Sequence, residues 1–420
     1  MRAMKDSGVE WIGEIPAEWK IGRVKNIFIR KNEKAMLENP VVLSLARAGV
    51  HIRDISNNEG QMALSYYNYN PVDIGDLLLN PMDLYSGANC SISRVKGVIS
   101  PAYVNLKGKK NVDARYYDYY FKVQYWQMVF FSYGKGVSFE NRWTLTNETL
   151  MNFKVLMLSY SEQQRIADYL DKKCAEIDVI ISKQHSIIEK LKEYKLSLIT
   201  ETVTKGLNAD AEMKDSGIEW IGEIPKHWKI RKIKSLFKLR NEKNYLPIDE
   251  VNLISLYTDK GIVQHKDLDK TTGNRAVKTE GYKLVYKGDI VVNIILCWMG
   301  AIGRSKYDGV TSPAYDVYIP NSDADSRFYH YYFRTKGFNG DCYKNGRGIM
   351  EMRWRTYSKE FTSIYVVCPP KNEQKYIADY LDNKCVKIDE IITNKNFLIN
   401  KLTEYKKSLI YEVVTGKKEV

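Results

Sequence analysis

The stretch MKDSGVEWIGEIPAEWKI, Met4 to Ile21, returns as MKDSGIEWIGEIPKHWKI, Met213 to Ile230, with 15 of 18 positions identical. Farther on, EQQRIADYLDKKCAEIDVII from Glu162 matches EQKYIADYLDNKCVKIDEII from Glu373 at 14 of 20 positions. The copies stand 209 residues apart in the first pair and 211 in the second, so the chain is a duplication of one unit. Between these anchors the copies agree only at landmarks: Gly75-Asp76 with Gly288-Asp289, Ser100-Pro-Ala-Tyr103 with Ser312-Pro-Ala-Tyr315, and Arg142-Trp143 with Arg353-Trp354. Matching ends around divergent middles are the pattern of one architecture reading two different things.

The second anchor opens a helix in each copy. Ser161 with Gln164 three residues later forms a capping box, and Asn372 after Pro369-Pro370 is placed as an N-cap. No proline interrupts either helix, through Thr204 in the first copy and Thr415 in the second. Apolar residues recur at seven-residue steps: Leu170, Ile177, Leu191 and Leu198 beside Cys174, Ile181 and Ile188, then Leu381, Ile388, Leu402 and Leu409 beside Cys385, Ile392 and Ile399. Such a repeat is a coiled-coil seam. It contains polar members, Gln184, Lys195, Lys395 and Lys406, and a second apolar line (Ile180, Ile187, Tyr194; Ile391, Leu398, Tyr405) widens it. The expected arrangement is two long helices packed antiparallel, offering their remaining faces to other subunits. The simpler alternative is a helix lying on its own domain. A helix of about forty residues spans roughly 60 Å, which makes the pair a ruler.

The regions before each helix mix short β-rich runs (Val41 to Leu45, Leu77 to Leu79, Val251 to Leu256, Ile290 to Ile295) with tyrosine-rich helix at Ala114 to Phe131 and Ser326 to Arg334. The fold class expected is therefore mixed α/β, of α+β type. Two globular readers at 1–158 and 211–368 alternate with helical spacers at 159–210 and 369–420, under an internal pseudo-two-fold repeat. The duplicated Trp11 and Trp19, or Trp220 and Trp228, read as an apolar clasp seating each reader on the helices.

Lysine and arginine total 64 against 51 acidic residues, a formal charge of +13 that points to a polyanion. Loops carry recognition, so the candidates for DNA contact are cationic and polar residues in or beside glycine-rich turns: Lys135, Asn141 and Arg142 in the first copy, and Arg347, Arg353 and Arg355 in the second. Arginine can bridge guanine edges and asparagine adenine. Arg142 and Arg353 recur in both copies, which suits a phosphate or a structural carboxylate better than a variable base.

Chemistry of its own is not legible in the chain. No GxxxxGK[ST] loop and no GxGxxG turn after a strand occurs, and the nearest approach to a methyltransferase NPP[YF] motif, Asn80-Pro81-Met82-Asp83, lacks the second proline and the aromatic. The six cysteines form no CxxC pair, the five histidines are scattered, and no repeated acidic cluster suits a catalytic metal. No signal peptide is recognisable, so reduced thiols and a cytoplasmic location are expected. Ile290 to Ile302 is too short to span a bilayer, and no membrane role is expected.

These features together resemble the specificity subunits of type I restriction-modification systems, over essentially the whole chain. The residues that carry the resemblance are WIGEIPxxW at Trp11 and Trp220, EQxxIADYLDxK at Glu162 and Glu373, and KLxEYKxSLI at Lys190 and Lys401. The resemblance implies two target recognition domains, each reading half of a split site in double-stranded DNA. It also implies conserved helices that set an unread gap and dock two methyltransferase subunits, with ATP-driven restriction subunits joining through them. S-adenosylmethionine, ATP and Mg²⁺ would then belong to those partners and no cofactor to this chain. The alternatives are a self-contained methyltransferase or nuclease, which would turn over DNA alone, and a scaffold, which would not prefer duplex over other polyanions. If the helices are the ruler, inserting four residues, about 6 Å of helix, near Thr200 to Gly206 widens the unread gap by roughly two base pairs. Mapping the modified bases on both sides of the gap checks this, and an unchanged gap excludes the ruler.

Overall fold

The computed structural model describes residues 2–56, 63, 65–82, 84–86, 89–138, 143–258, 261–265, 279–349 and 354–420. The chain divides into two compact units, Met1–Gln184 with Asn396–Val420, and His185–Lys395. Each unit is a mixed α/β body holding one reader and one stretch of each long helix.

In the first unit a four-stranded antiparallel sheet runs in the order Phe28–Lys31, Val104–Gly108, Leu77–Leu79, Cys90–Ile92. Leu77, Leu78 and Leu79 are all buried, as befits a strand covered on both faces rather than alternating. A helix over Ala114–Trp126 packs on this sheet through Tyr116, Tyr117, Tyr120 and Phe121, none of which reaches solvent. The Tyr117 hydroxyl donates to the Leu156 carbonyl (3.0 Å), so burying the ring leaves no polar atom stranded. The helical stretch expected to reach Phe131 instead breaks at Met128, in the left-handed region at φ 60°, and resumes over Val129–Ser132.

The second unit repeats the strand order with Phe237–Leu239, Tyr315–Pro320, Ile290–Asn293 and Ile302–Arg304, and packs a helix over Ser326–Tyr332 on it. Its strand near 251 begins later than the apolar run predicts, at Ile254–Tyr257. The Gly-Asp landmark has a structural reason. Gly75 and Gly288 turn the chain at φ 91° and 105°, a conformation that costs other residues. The aspartate next in sequence pairs with a cation from a strand of the sheet or its edge: Asp76 with Lys31 at 2.8 Å, and Asp289 with Arg240 at 2.9 Å. All four side chains are nearly buried, and removing one partner of such a pair typically costs about 3–5 kcal/mol.

The EQxxIADYLD motif welds each reader to its helix. Gln163 accepts from the Asp113 amide (2.8 Å) and donates to the Leu158 carbonyl (2.9 Å), while Ile166, Ala167 and Leu170 are buried. Arg115 reaches from the reader helix to Asp168 (2.7 Å) and Asp171 (3.0 Å), and Tyr119 donates to Asp171 (2.8 Å). The second unit matches this with Gln374 on Asp325 (2.7 Å), Arg327 on Asp379 (2.6 Å) and Asp382 (3.3 Å), and Tyr331 on Asp382 (2.7 Å). Hydrogen bonding to Asp113 holds the Arg115 guanidinium above its ordinary pKa, and Asp379 does the same for Arg327.

The long helices cover Tyr160–Lys205 and Lys371–Val414. The first is capped by Ser159, whose Oγ accepts from the Glu162 amide (3.3 Å), and not by Ser161, where the sequence pattern places the cap. The alternative box Ser159-x-x-Glu162 overlaps the predicted one, and its glutamate is drawn away to Arg2 and to Trp19 Nε1 (2.9 Å). Asn372 lies one residue inside the second helix rather than at its cap. In the first unit the second helix ends on the clasp: Gly416, at φ 74°, lies so close to Pro16 and Trp19 that a Cβ would stand 2.5 Å from the proline ring. Lys406 pairs with Asp178 (2.6 Å). The neighbours of Glu162 and Asp178 therefore run along the second helix from Gly416 back to Lys406, so the two segments are antiparallel.

The second unit shows the same pairing from its own residues. Gly206 lies against Trp228 and Glu373, and Lys195 pairs with Asp389 (2.7 Å). Of the seam positions, Leu170, Ile177, Ile188, Leu381, Ile388, Ile399 and Leu409 are buried. Ile181, Leu191, Leu198, Ile392 and Leu402 are half-buried. Cys174 and Cys385 are buried and free, as are the other four cysteines. The neighbouring line stays open: Ile180, Ile187, Tyr194, Ile391, Leu398 and Tyr405 are each 38–56% exposed.

One buried group separates the units chemically. His330 takes the place that Asp118 holds in the first unit. Its Nδ1 accepts from the Arg304 amide (3.2 Å), which requires that nitrogen to be unprotonated. Half-buried by surface area yet enclosed by the chain, its pKa is pushed down to about 3, first by loss of solvent and then by Arg334, Lys306 and Arg304. The unfolded chain takes up this proton near pH 6.5 and the folded one does not. His330 therefore costs stability as the pH falls from about 6.5 toward 3, at up to about 1.4 kcal/mol per pH unit. Urea unfolding at pH 7 and pH 4.5 checks this. His330→Gln, whose amide oxygen can still accept, is expected to lose less stability between the two pH values than the parent, and equal losses exclude the assignment.

Candidate nucleic-acid interface

Each reader carries a loop whose described stem has the same build. In the first unit the backbone leaves the helix at Gly134 and returns at Trp143, closed by a two-way bridge between Lys135 and Thr144 (2.8 and 2.9 Å). In the second, Arg347 and Arg355 make the same bridge (2.9 and 3.0 Å). The stem is latched by a tryptophan lying on a glycine. A Cβ on Gly134 would stand 2.4 Å from Trp143 Nε1, and one on Gly346 2.3 Å from Trp354 Nε1. Each indole nitrogen then donates to a helix-end carbonyl, Phe131 (2.8 Å) or Tyr343 (3.1 Å). Only glycine permits that approach, so the glycine and tryptophan are shared, while between them the copies keep few identities, among them Gly136 with Gly348 and Arg142 with Arg353.

Within this frame Lys135 is exposed. Arg347 is exposed as well, reaching Glu360 (3.3 Å) and lying over the Tyr357 ring at 5.1 Å. Arg355 is half-buried and donates to the Trp354 carbonyl (3.3 Å). The structure thus brings Arg347 and Arg355 together across one bridge and sets Lys135 opposite Thr144, the position equivalent to Arg355. Asn141, Arg142 and Arg353 lie outside the described residues. The aromatic latch, with Tyr343 stacked on Trp354 at 4.9 Å, is a contact that the sequence reading missed, although the shared Trp143 and Trp354 were its signal.

A second feature of the first unit is a groove of about 1490 Å³ between the reader and the helices, lined by Arg47, Arg94, Arg115, Lys122, Lys406 and Lys407 among others. Several of these cations are already matched. Arg115 and Lys406 hold aspartates of the first long helix, and Lys122 holds buried Asp118 at 2.6 Å. Burial pushes the Asp118 carboxyl up, and Lys122 opposes that shift. The groove is an ion-paired junction, whereas the latched loops present cations outward. Among the described residues no group of histidine, cysteine and carboxylate side chains could hold a metal ion, and no described helix is long and apolar enough to cross a membrane.

Residues 225–404 match the family model for the type I restriction modification DNA specificity domain. Two Methanocaldococcus jannaschii proteins are similar at 23% identity. One carries the name of the type I restriction enzyme MjaX specificity subunit and is matched over 97% of this chain and 95% of the relative. The other is the MjaVIII specificity subunit, matched over 82% of this chain and 80% of the relative. The fold is shared with a chain solved in a study of assembly and conformational transition of the type I restriction-modification system. That match has a TM-score of 0.70 at 10% identity and covers 96% of this chain and 99% of that one. It is also shared with the HsdS subunit of Thermoanaerobacter tengcongensis, with a TM-score of 0.57 at 11% identity, over 96% and 98% of the two chains. Residues 225–404 thus match the DNA specificity domain of type I restriction-modification systems, and the chain as a whole is similar to specificity subunits of those systems in sequence and shares their fold.

Proposed function

We propose that this subunit binds a bipartite site in double-stranded DNA, with the reader at 1–158 contacting one half and that at 211–368 the other. The helical segments 159–210 and 369–420 set the unread gap. The observation that carries this is the pair of latched loops: one Gly-Trp stem is built in both units and fitted with different residues, Lys135 and Thr144 in one and Arg347 and Arg355 in the other. A common mount with exchangeable contents suits two half-sites of different sequence. Lys135, Arg347 and Arg355, with Asn141, Arg142 and Arg353, supply the contacts to bases and phosphates.

Two methyltransferase subunits dock on the helices and flip and methylate the target adenines with S-adenosylmethionine. The restriction subunits, using ATP and Mg²⁺, join through them. In the first unit the helix surface open to a methyltransferase is Ile180 with Leu398 and Tyr405, and in the second Ile187 and Tyr194 with Ile391, because the deepest seam residues are already covered within the chain. The site of action is the cytoplasm, where six unpaired cysteines are at home.

Replacing residues 22–158 with those of a relative of different specificity, in the complex with its methyltransferase subunits, is expected to change one half of the modified sequence and leave the other and the gap intact. Sequencing of modified adenines reads the result. A change in both halves excludes the modular reading.

A further inference from the structure

The two latched loops share one feature that base reading does not account for. Val137 is 92% exposed and Ile349 is 93% exposed, the two most exposed large apolar side chains among the described residues. They are repeat equivalents, each two residues beyond the bridging cation: Lys135-Gly136-Val137 and Arg347-Gly348-Ile349. A lone exposed aliphatic needs no explanation. The same β-branched type at the same place in both loops does, because it follows the same frame, Gly-Lys-Gly-Val in one and Gly-Arg-Gly-Ile in the other, and is left open to solvent in both. Branching at Cβ restricts the side chain to few rotamers, so each is a stiff apolar point turned to solvent.

A residue common to two readers of different half-sites does not encode a base. It suits a contact that any sequence offers, and the one apolar surface common to all duplexes is the stack itself. Two extended residues span at most about 7 Å, and the minor groove is about 7.5 Å deep. A cation on a phosphate at the groove lip therefore allows the aliphatic residue two positions on to reach the base edges. We infer that Val137 and Ile349 are paired aliphatic wedges, each entering the minor groove of its half-site beside Lys135 or Arg347 and partly unstacking one base step. Apolar side chains inserted this way kink the duplex and expose more of it to the protein. The inference rests on the DNA-reading function above and adds to it a deformation step that is independent of base identity.

The test uses the full chain assembled with its methyltransferase subunits and duplexes carrying 2-aminopurine stepped through each half-site. Binding is expected to raise fluorescence at one step per half. Val137→Ser removes the signal in the half read by the first unit alone, Ile349→Ser removes it in the other, and each weakens binding about tenfold. Val137→Ile retains both signal and affinity, and unchanged melting of the serine variants shows that the fold is intact. Uracil in place of thymine leaves wild-type affinity unchanged. If uracil reproduces the serine loss, Val137 and Ile349 read thymine methyl groups and the wedge is overturned. Serine variants with full signal and affinity overturn it too, while one-half specificity changes in the reader exchange leave the DNA-reading function standing. A wild-type complex that binds no duplex at any salt concentration sinks both.

Discussion

Everything in the fold leans on an arginine of the reader helix gripping two aspartates one turn apart on a long helix: Arg115 on Asp168 and Asp171, Arg327 on Asp379 and Asp382. These pairs are partly exposed, and such pairs contribute only about 0–1 kcal/mol each. Their effect is on direction rather than on affinity. A planar guanidinium answered by carboxylates at positions i and i+3 fixes the rotation of one helix about the other. The buried trio Ile166, Ala167 and Leu170, repeated as Ile377, Ala378 and Leu381, supplies the apolar burial that keeps them together.

The clasp adds a second constraint. Trp19 and Pro16 flank both helix ends: Trp19 meets the start of the first long helix through Glu162, and both residues meet the end of the second at Gly416. In the second unit Trp228 and Pro225 face Gly206, while Glu373 pairs with His227 at 2.8 Å instead of the indole, and Trp228 Nε1 stays unpaired. Two helix ends that must fit one tryptophan tolerate little variation, which explains why the WIGEIPxxW segments differ so little while the loops diverge.

Inside each reader the cations separate by the groups that answer them. Lys31, Arg240, Arg115, Arg327 and Lys122 are consumed by aspartates of the fold. The 64 lysines and arginines therefore overstate the cations offered to a polyanion, whereas the net +13 already has such pairs cancelled in it, and the loops matter because Lys135 and Arg347 are exposed beside a latched stem. The tyrosines resolve in the same way, with Tyr116, Tyr117, Tyr120, Tyr318, Tyr329 and Tyr332 fully buried as core rather than as stacking platforms.

The sequence by itself determined the duplication, the two long helices and the mixed α/β class. Repeats and heptad spacing are local patterns that need no knowledge of tertiary neighbours. It also marked the glycines, tryptophans and aspartates that recur, without saying what each one held. Only the tertiary structure decided that Asp168 and Asp171 answer Arg115 across 53 and 56 residues of chain, that Ser159 rather than Ser161 caps the helix, and that Lys195 and Lys406 in the seam are matched by Asp389 and Asp178. It also turned Gly134 and Gly346 into seats for indole rings. Partners distant in sequence meet only after the sheet and helices pack, and the composition of a segment is silent about which of its polar groups that packing will satisfy.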